Sequence, residues 1–231
     1  EMAEALAPAT VRPAATQALT LVHTPGKKTC EDVGEFLKQP LPAQLKAMMY
    51  VSDAGFVLCM LRADHMVNEI KLGKLPQLAN FRPATPEEIE AHLGVEPGYC
   101  GPVPRHGKAH PGKVLVVADR TAAAMADFIC GANESGYHVT GANWGRDCAE
   151  PDVVADIRNV VEGDPSPRSV DELFAELKKR KDAGKKVVQV IPVHAANGGE
   201  ETIGATRLRR RGVLEAPRRG RASRATIGRN H

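Results

Sequence analysis

Two stretches of the chain are almost uniformly apolar, "GFVLCMLRA" (55–63) and "GKVLVVADR" (112–120). Each is short, opens on glycine and ends on charge, which predicts buried strands. "YHVTGANW" (137–144) alternates between apolar and polar and predicts another strand. Helical spacing governs other segments. In "TCEDVGEFLKQ" (29–39), Val33, Phe36 and Leu37 recur at helical intervals, Thr29 can cap, and Glu31 and Asp32 sit in the first turn. "TPEEIEAHLG" (85–94) is the fullest helix signal: Thr85 at the N-cap, Pro86 behind it, Glu88 to close a capping box and Gly94 as the stop.

"PAQLKAMMYVS" (42–52) starts like a helix, with Pro42 at its N-terminus, and runs toward a strand. "MVNEIKLGKL" (66–75) predicts a helix, 121–133 a helix ending in a strand or turn, and 153–164 a short element closed by "GDPSP". Further on, 169–186 predicts an amphipathic helix and "VVQVIPV" (187–193) a strand. Beyond about residue 195 the pattern dissolves into Gly and Arg, which predicts disorder. Residues 1–19, rich in Ala and Pro, read as a linker or docking arm. Helical and extended signals interleave, so the fold class is α/β or α+β.

Composition adjusts this picture at a few points. The chain has 231 residues, 42% of them apolar and only 4% aromatic, so its core must rest on Leu, Val, Ile, Ala and Met. No run approaches the roughly 18–20 apolar residues of a membrane span, and no basic segment followed by an apolar one marks a signal peptide. A start at Glu1 rather than Met points to a piece of something longer. Five cysteines, at 30, 59, 100, 130 and 148, include no CxxC pair, so reduced thiols in the cytoplasm are the simplest reading. From 207 to 231 nine Arg face one acid, Glu215, which leaves that tail at +8 and the preceding 206 residues at −5 within a total of +3. Any affinity for nucleic acid inferred from net charge therefore concerns the tail.

Four features could carry chemistry. Lys71 lies in "NEIKLGKL", where the plain reading is a surface lysine and the functional one a cation aimed at phosphate or carboxylate. "GYCGP" (98–102) is a tight turn or a loop whose backbone N–H groups face a ligand. Asp119 ends a strand beside Arg120, as a structural ion pair or a carboxylate at a pocket rim. His138 sits mid-strand, packed or functional. No nucleophile–base order and no metal-ligand spacing stand out.

The segments "TPGKKTCEDVGEFL", "DHMVNEIKLGKLPQLA", "GYCGPV", "VVADRTAAAMADFICGANESGYHVTGANWGRD" and "VADIRNVVEGDPSP" follow one another over residues 20–167. Together they resemble the editing (insertion) domain of bacterial-type prolyl-tRNA synthetases, a branch of the aminoacyl-tRNA deacylases. The resemblance implies a mixed, mainly antiparallel central sheet flanked by helices. It divides the chain into an arm (1–19), an editing domain (20–167), a helix with a possible strand (168–195) and a basic tail (196–231). It implies metal-free, cofactor-free hydrolysis of mischarged alanyl-tRNA(Pro) by water, assisted by the substrate's ribose hydroxyl. The partners it implies are the tRNA(Pro) acceptor end and the rest of a prolyl-tRNA synthetase. A proline-shaped site rejects alanine poorly, since missing methylenes are worth only about 1–3 kcal/mol, so a second sieve is needed.

By the same resemblance, Lys71 would hold the tRNA 3′-terminal phosphate region. Gly98, Gly101 and Pro102 would bring backbone N–H groups to the aminoacyl ester. His138 would size the amino acid and exclude proline, Asp119 would be an acidic pocket residue, and Lys46 would be what remains of a substrate-binding motif. Asn143, Trp144, Arg146 and Asp147 would be scaffold. The sequence departs from the family in three places. The family's Lys-Thr-x-Lys-Thr is reduced to "AQLKA" (43–47), with Gln44 and Ala47 at the Thr positions. "RHGKAHPGK" (105–113) lengthens a link, and family similarity stops after "GDPSP". These departures leave open a catalytically weak tRNA-binding module, or a deacylase for cysteinyl- or seryl-tRNA.

Overall fold

The computed structural model describes residues 4–6, 8, 11–162 and 164–166, with isolated positions between 172 and 195. The chain divides into two units, 1–160 and 161–231. The first unit holds a five-stranded sheet in the order β4-β2-β3-β5-β8: Arg82–Pro83, Leu45–Ser52, Gly55–Arg62, Leu115–Asp119 and Val153–Ala155. Its β4/β2 and β2/β3 pairs are antiparallel, while β3/β5 and β5/β8 are parallel. A second sheet, β1-β7-β6 (Thr20–His23, Tyr137–Ala142, Phe128–Gly131), is antiparallel throughout. Four α-helices accompany them: α1 (Cys30–Leu37), α2 (Glu69–Leu72), α3 (Pro86–Leu93) and α4 (Arg120–Ala123). The fold is thus α+β with one mixed and one antiparallel sheet, antiparallel pairs being the majority across the two.

The continuous apolar run of β3 has a simple cause. Phe56, Leu58 and Met60 pack into one core cluster, and Val57, Cys59 and Leu61 into the other. Successive side chains of a strand point to opposite faces, and both faces here are covered, so every position is apolar. β5 divides the same way, with Ala118 in the first cluster and Val117 in the second.

The helix signals at Thr29 and Thr85 are realised. Thr29 accepts from the Asp32 N–H at 3.1 Å. Thr85 and Glu88 form a reciprocal capping box, and Gly94 ends α3 at φ +76°. Two expectations are corrected. The segment 42–52 is helical only as a single 3-10 turn, Leu41–Ala43, and then becomes strand β2. Its Leu, Lys, Ala and Met residues favour helix, but pairing with β3 through a two-residue turn at Asp53–Ala54 overrides that preference. The helix expected over 66–75 shrinks to α2, which Asn68 caps and Gly73 ends, followed by a 3-10 turn at Pro76–Leu78.

The N-terminal arm is tied down at several points: the Ala5 N–H donates to Asp156, Arg12 pairs with Glu150 at 2.6 Å, and Thr16 bonds to Asp127. Of the second unit, β9 (Pro165–Ser166) and β10 (His194–Ala195) pair in parallel. The helix expected over 169–186, the strand after it and the Arg-rich tail fall on residues outside those described, apart from isolated helical positions. Among the described residues no helix is long and apolar enough to cross a membrane.

Candidate active site

The two sheets of the first unit meet where Gln44, just before β2, bridges Ile129 of β6 in parallel. A cavity of about 230 Å³ opens at this seam. Its walls come from the start of α1 (Thr29, Cys30, Val33), the entry to β2 (Gln44 to Ala47) and the loop carrying Pro97, Gly98 and Cys100. β6 and β7 close it with Cys130, Gly131 and His138.

The loop is shaped by close backbone contact. Gly98 has φ +104°, and a Cβ there would stand 2.7 Å from the Lys28 Cβ. A Cβ on Gly101 would meet the Gly131 carbonyl at 2.2 Å. Both positions therefore require glycine. Asn133 clamps the loop to β6: its Oδ1 accepts from the Gly101 N–H at 3.1 Å, and its Nδ2 donates to the Gly101 and Val103 carbonyls, each at 2.8 Å. Gly98 and Cys100 thus line the cavity, whereas Gly101 and Pro102 do not. The Gly101 N–H donates to Asn133 Oδ1.

His138 is 6% exposed. Its Nδ1 lies 2.7 Å from Thr24 Oγ1, and its ring meets Tyr99 edge-on at 5.6 Å. Burial pulls its pKa down to about 4, against a smaller raising effect of the Gly98 backbone. At neutral pH it is an uncharged, hydrogen-bonded wall, too weak a base to draw a proton from water efficiently. The three thiols lining the cavity are also unreactive: burial raises Cys30, pushes Cys100 up to about 11 and holds Cys130 well above the usual thiol range. Protonated thiols are poor nucleophiles.

The two candidate lysines separate. Lys46 lines the cavity, with its Nζ 3.2 Å from the Ala63 carbonyl and 3.7 Å from Met66 Sδ. Its charge is felt at the Cys30 thiol, which it lowers slightly. Lys71 belongs to a different, more open cavity of about 390 Å³ beside Arg120 and Asp156. There its Nζ donates to both Asp156 oxygens and to the Arg158 carbonyl, all at 2.8 Å. Asp119 likewise stands away from the first cavity. It is fully buried, caps α4 through the Thr121 N–H at 2.9 Å and lies 3.6 Å from Arg158 Nε. Neither Lys71 nor Asp119 lines the first cavity; both knit α2, β5 and the segment after β8 together.

The residues expected as scaffold are hydrogen-bonded within the fold. Asn143 binds Asp127 and Gly141, Trp144 Nε1 donates to the Ala122 carbonyl at 3.1 Å, and Arg146 bonds to Asp147 and the Gln17 carbonyl. The sequence pattern gave no role to Asn133 or Thr24, and marked Gln44 only as a departure from the family's motif. Asn133 alone left a usable trace, since Asn is the side chain that both tolerates a positive φ (here +52°) and clamps neighbouring backbone.

With this geometry in view, comparison with known proteins is specific. The aminoacyl-tRNA editing domain family matches residues 24–148. A proline–tRNA ligase of Acidovorax sp. (strain JS42) is 52% identical over 187 residues, covering 76% of this chain and 31% of the ligase. The corresponding ligase of Bordetella petrii is 54% identical over 178 residues, covering 75% of this chain and 30% of the ligase. The chain therefore spans about a third of the length of the curated relatives it matches. A scaffold protein used for computational epitope grafting shares the fold alone, with a TM-score of 0.52 at 16% identity over 62% of this chain and 88% of that one. The matched residues take in α1, the glycine loop and His138 with the cavity between them, and the chain belongs to the aminoacyl-tRNA editing domain family.

Proposed function

We propose that the cavity at the sheet seam hydrolyses the ester of mischarged alanyl-tRNA(Pro). The observation that carries this reading is one small cavity walled by a neutral His138 and a glycine loop, whose thiols are held protonated by burial. Such a site selects and orients an ester for attack by water, with the adjacent ribose hydroxyl as the nearest assisting group. His138 limits the space beside the aminoacyl group and so disfavours proline. Lys46 supplies the cation for the tRNA 3′-terminal phosphates, and the glycine loop approaches the ester. Lys71 and Asp119 act on this site only by holding the fold. The partners are the tRNA(Pro) acceptor end and, in a full-length ligase, the remaining two-thirds of that protein.

The test is deacylation of alanyl-, cysteinyl-, seryl- and prolyl-tRNA(Pro) by wild-type protein and His138→Ala. Wild type should release alanine and spare prolyl-tRNA, and His138→Ala should begin to attack prolyl-tRNA. No release of any amino acid above the protein-free control would overturn the reading. Preferential release of cysteine or serine would replace its substrate.

A further inference from the structure

A second lysine lines the cavity at the sheet seam. Lys28 immediately precedes Thr29, the N-cap of α1, and its stem lies against the glycine loop: a Cβ on Gly98 would stand 2.7 Å from the Lys28 Cβ and 2.9 Å from its Cγ. Its Nζ sits 5.8 Å from the centre of the Tyr99 ring, which in turn meets His138 edge-on. Among the described residues its ion pair is with Glu96, at 3.3 Å, and both side chains are about half exposed, 52% and 48%. Glu96 stands outside the cavity wall. Its Oε1 also accepts from Ser135 Oγ at 3.2 Å, so the carboxylate keeps a partner if the ammonium leaves.

Such a pair is easily exchanged. Exposed ion pairs contribute at most about 1 kcal/mol, and one contact at 3.3 Å leaves most of an ammonium's donor capacity to other acceptors. The charge of the cavity points to what takes it up. Lys28 and Lys46 are the charged side chains of its wall, His138 is neutral, and among the described residues no carboxylate lines it. Two cations with no counter-charge in the wall fit a ligand that carries two anionic groups. Successive phosphodiesters at a tRNA 3′ end supply them.

We propose that Lys28 is a substrate-binding residue that receives a second phosphate of the tRNA 3′ end, and that Glu96 holds its ammonium in the empty site and releases it when that phosphate enters. This rests on the deacylase reading of the cavity, with Lys46 at the first phosphate. Glu96 then competes with the substrate for one cation. Removing it strengthens substrate binding, whereas a purely structural pair would be weakened alike from either end.

The KM for alanyl-tRNA(Pro) separates these two cases. Lys28→Met should raise it about tenfold with kcat nearly constant, the lower end for a charge-assisted hydrogen bond, because loss of the pair with Glu96 offsets part of the effect. Glu96→Gln should lower it about two- to fivefold. The double variant should match Lys28→Met, since Glu96 acts only through Lys28, and Lys28→Arg should restore most of the loss. For alanyl-adenosine, an ester without phosphate, the rise in Lys28→Met should vanish. An unchanged KM for alanyl-tRNA(Pro) in Lys28→Met would overturn the proposal. So would a rise shared by alanyl-adenosine, or a KM that rises in Glu96→Gln as it does in Lys28→Met. If Lys28→Met fails to fold, Lys28→Gln carries the same comparison. A binding measurement keeps the two readings apart. The trinucleotide cytidylyl-cytidylyl-adenosine, titrated against the full chain, carries two phosphodiesters and no aminoacyl ester. Its Kd should rise about tenfold in Lys28→Met. A protein that hydrolyses no aminoacyl ester but binds the trinucleotide through Lys28 refutes hydrolysis and supports the Lys28 contact. Hydrolysis of alanyl-tRNA(Pro) alongside trinucleotide binding indifferent to Lys28 does the reverse.

Discussion

Lys46 and Lys71 are both lysines of the first unit, and each lines a cavity, yet their surroundings are opposite. An ammonium has three N–H donors and no acceptor. Lys71 directs all three at protein oxygens, two on Asp156 and one on Arg158, and is 6% exposed. Lys46 meets one carbonyl at 3.2 Å and a thioether sulfur, a weak acceptor. A cation meant to receive a phosphate must keep donor capacity for it, and Lys46 does. The difference separates a lysine whose donors are all spent on protein oxygens from one that keeps donor capacity, although the sequence offers both in similar apolar settings.

The strongest test of this contrast is to remove the lysine whose donors are spent. Lys71→Met leaves Asp156, which also holds the Ala5 N–H, without its main partner in a nearly buried place. Breaking one side of a buried pair typically costs about 3–5 kcal/mol, and that loss should appear in urea unfolding. The remaining folded protein should deacylate alanyl-tRNA(Pro) with unchanged kcat/KM. A well-folded Lys71→Met with abolished activity would return Lys71 to the substrate.

A second test concerns the wall near Lys46. His138 titrates near 6.5 when unfolded and at about 4 when folded, because burial disfavours its charged form. Between those values the unfolded chain binds a proton that the folded chain refuses. The stability is therefore complete above about pH 6.5 and is lost as pH falls toward 4, by on the order of 3 kcal/mol in all. His65 and His110 are also lowered, so wild type must be compared with His138→Gln to isolate the effect. The variant should lose that much less stability over the window. Equal slopes would mean that His138 is not the buried neutral wall described here.

How much of this could be read in advance depends on the range of the interaction. Caps and buried strands are local or periodic, so Thr29, the Thr85–Glu88 box and the run from Phe56 to Leu61 were legible. β2 was legible only in part: 42–52 was expected to run toward a strand, but its helix-favouring residues hid how early the strand begins, since a partner strand and a turn hold them extended. The cavity was legible as a neighbourhood: Gly98, His138 and Lys46 do come together. The role of Lys71 was hidden because its partner, Asp156, lies 85 residues away and nothing in the local pattern marks the pair. Gln44 was noticed only as a departure from a motif. Asn133 was quoted within "GAN" and still missed, because four of its bonds reach back to residues 99–103.

The smallest expected effects concern Lys46 itself and discriminate most finely. Lys46→Gln removes a charge from a half-exposed position with one carbonyl contact, so stability should move by no more than about 0.5 kcal/mol. If the ammonium meets a phosphate, the KM for alanyl-tRNA(Pro) should rise about ten- to a hundredfold, the range for a charge-assisted hydrogen bond, with kcat nearly constant. The same contact releases counterions. The slope of log affinity against log salt should therefore become shallower by about one in Lys46→Gln and stay unchanged in Lys71→Gln. The nine arginines from 207 to 231 add a larger, sequence-indifferent slope of their own, so the comparison is best made with and without them. The difference between the two lysines should survive removal of the tail. If both variants lower the slope equally, phosphate does not distinguish them, and the contrast between the two cavities is one of packing alone.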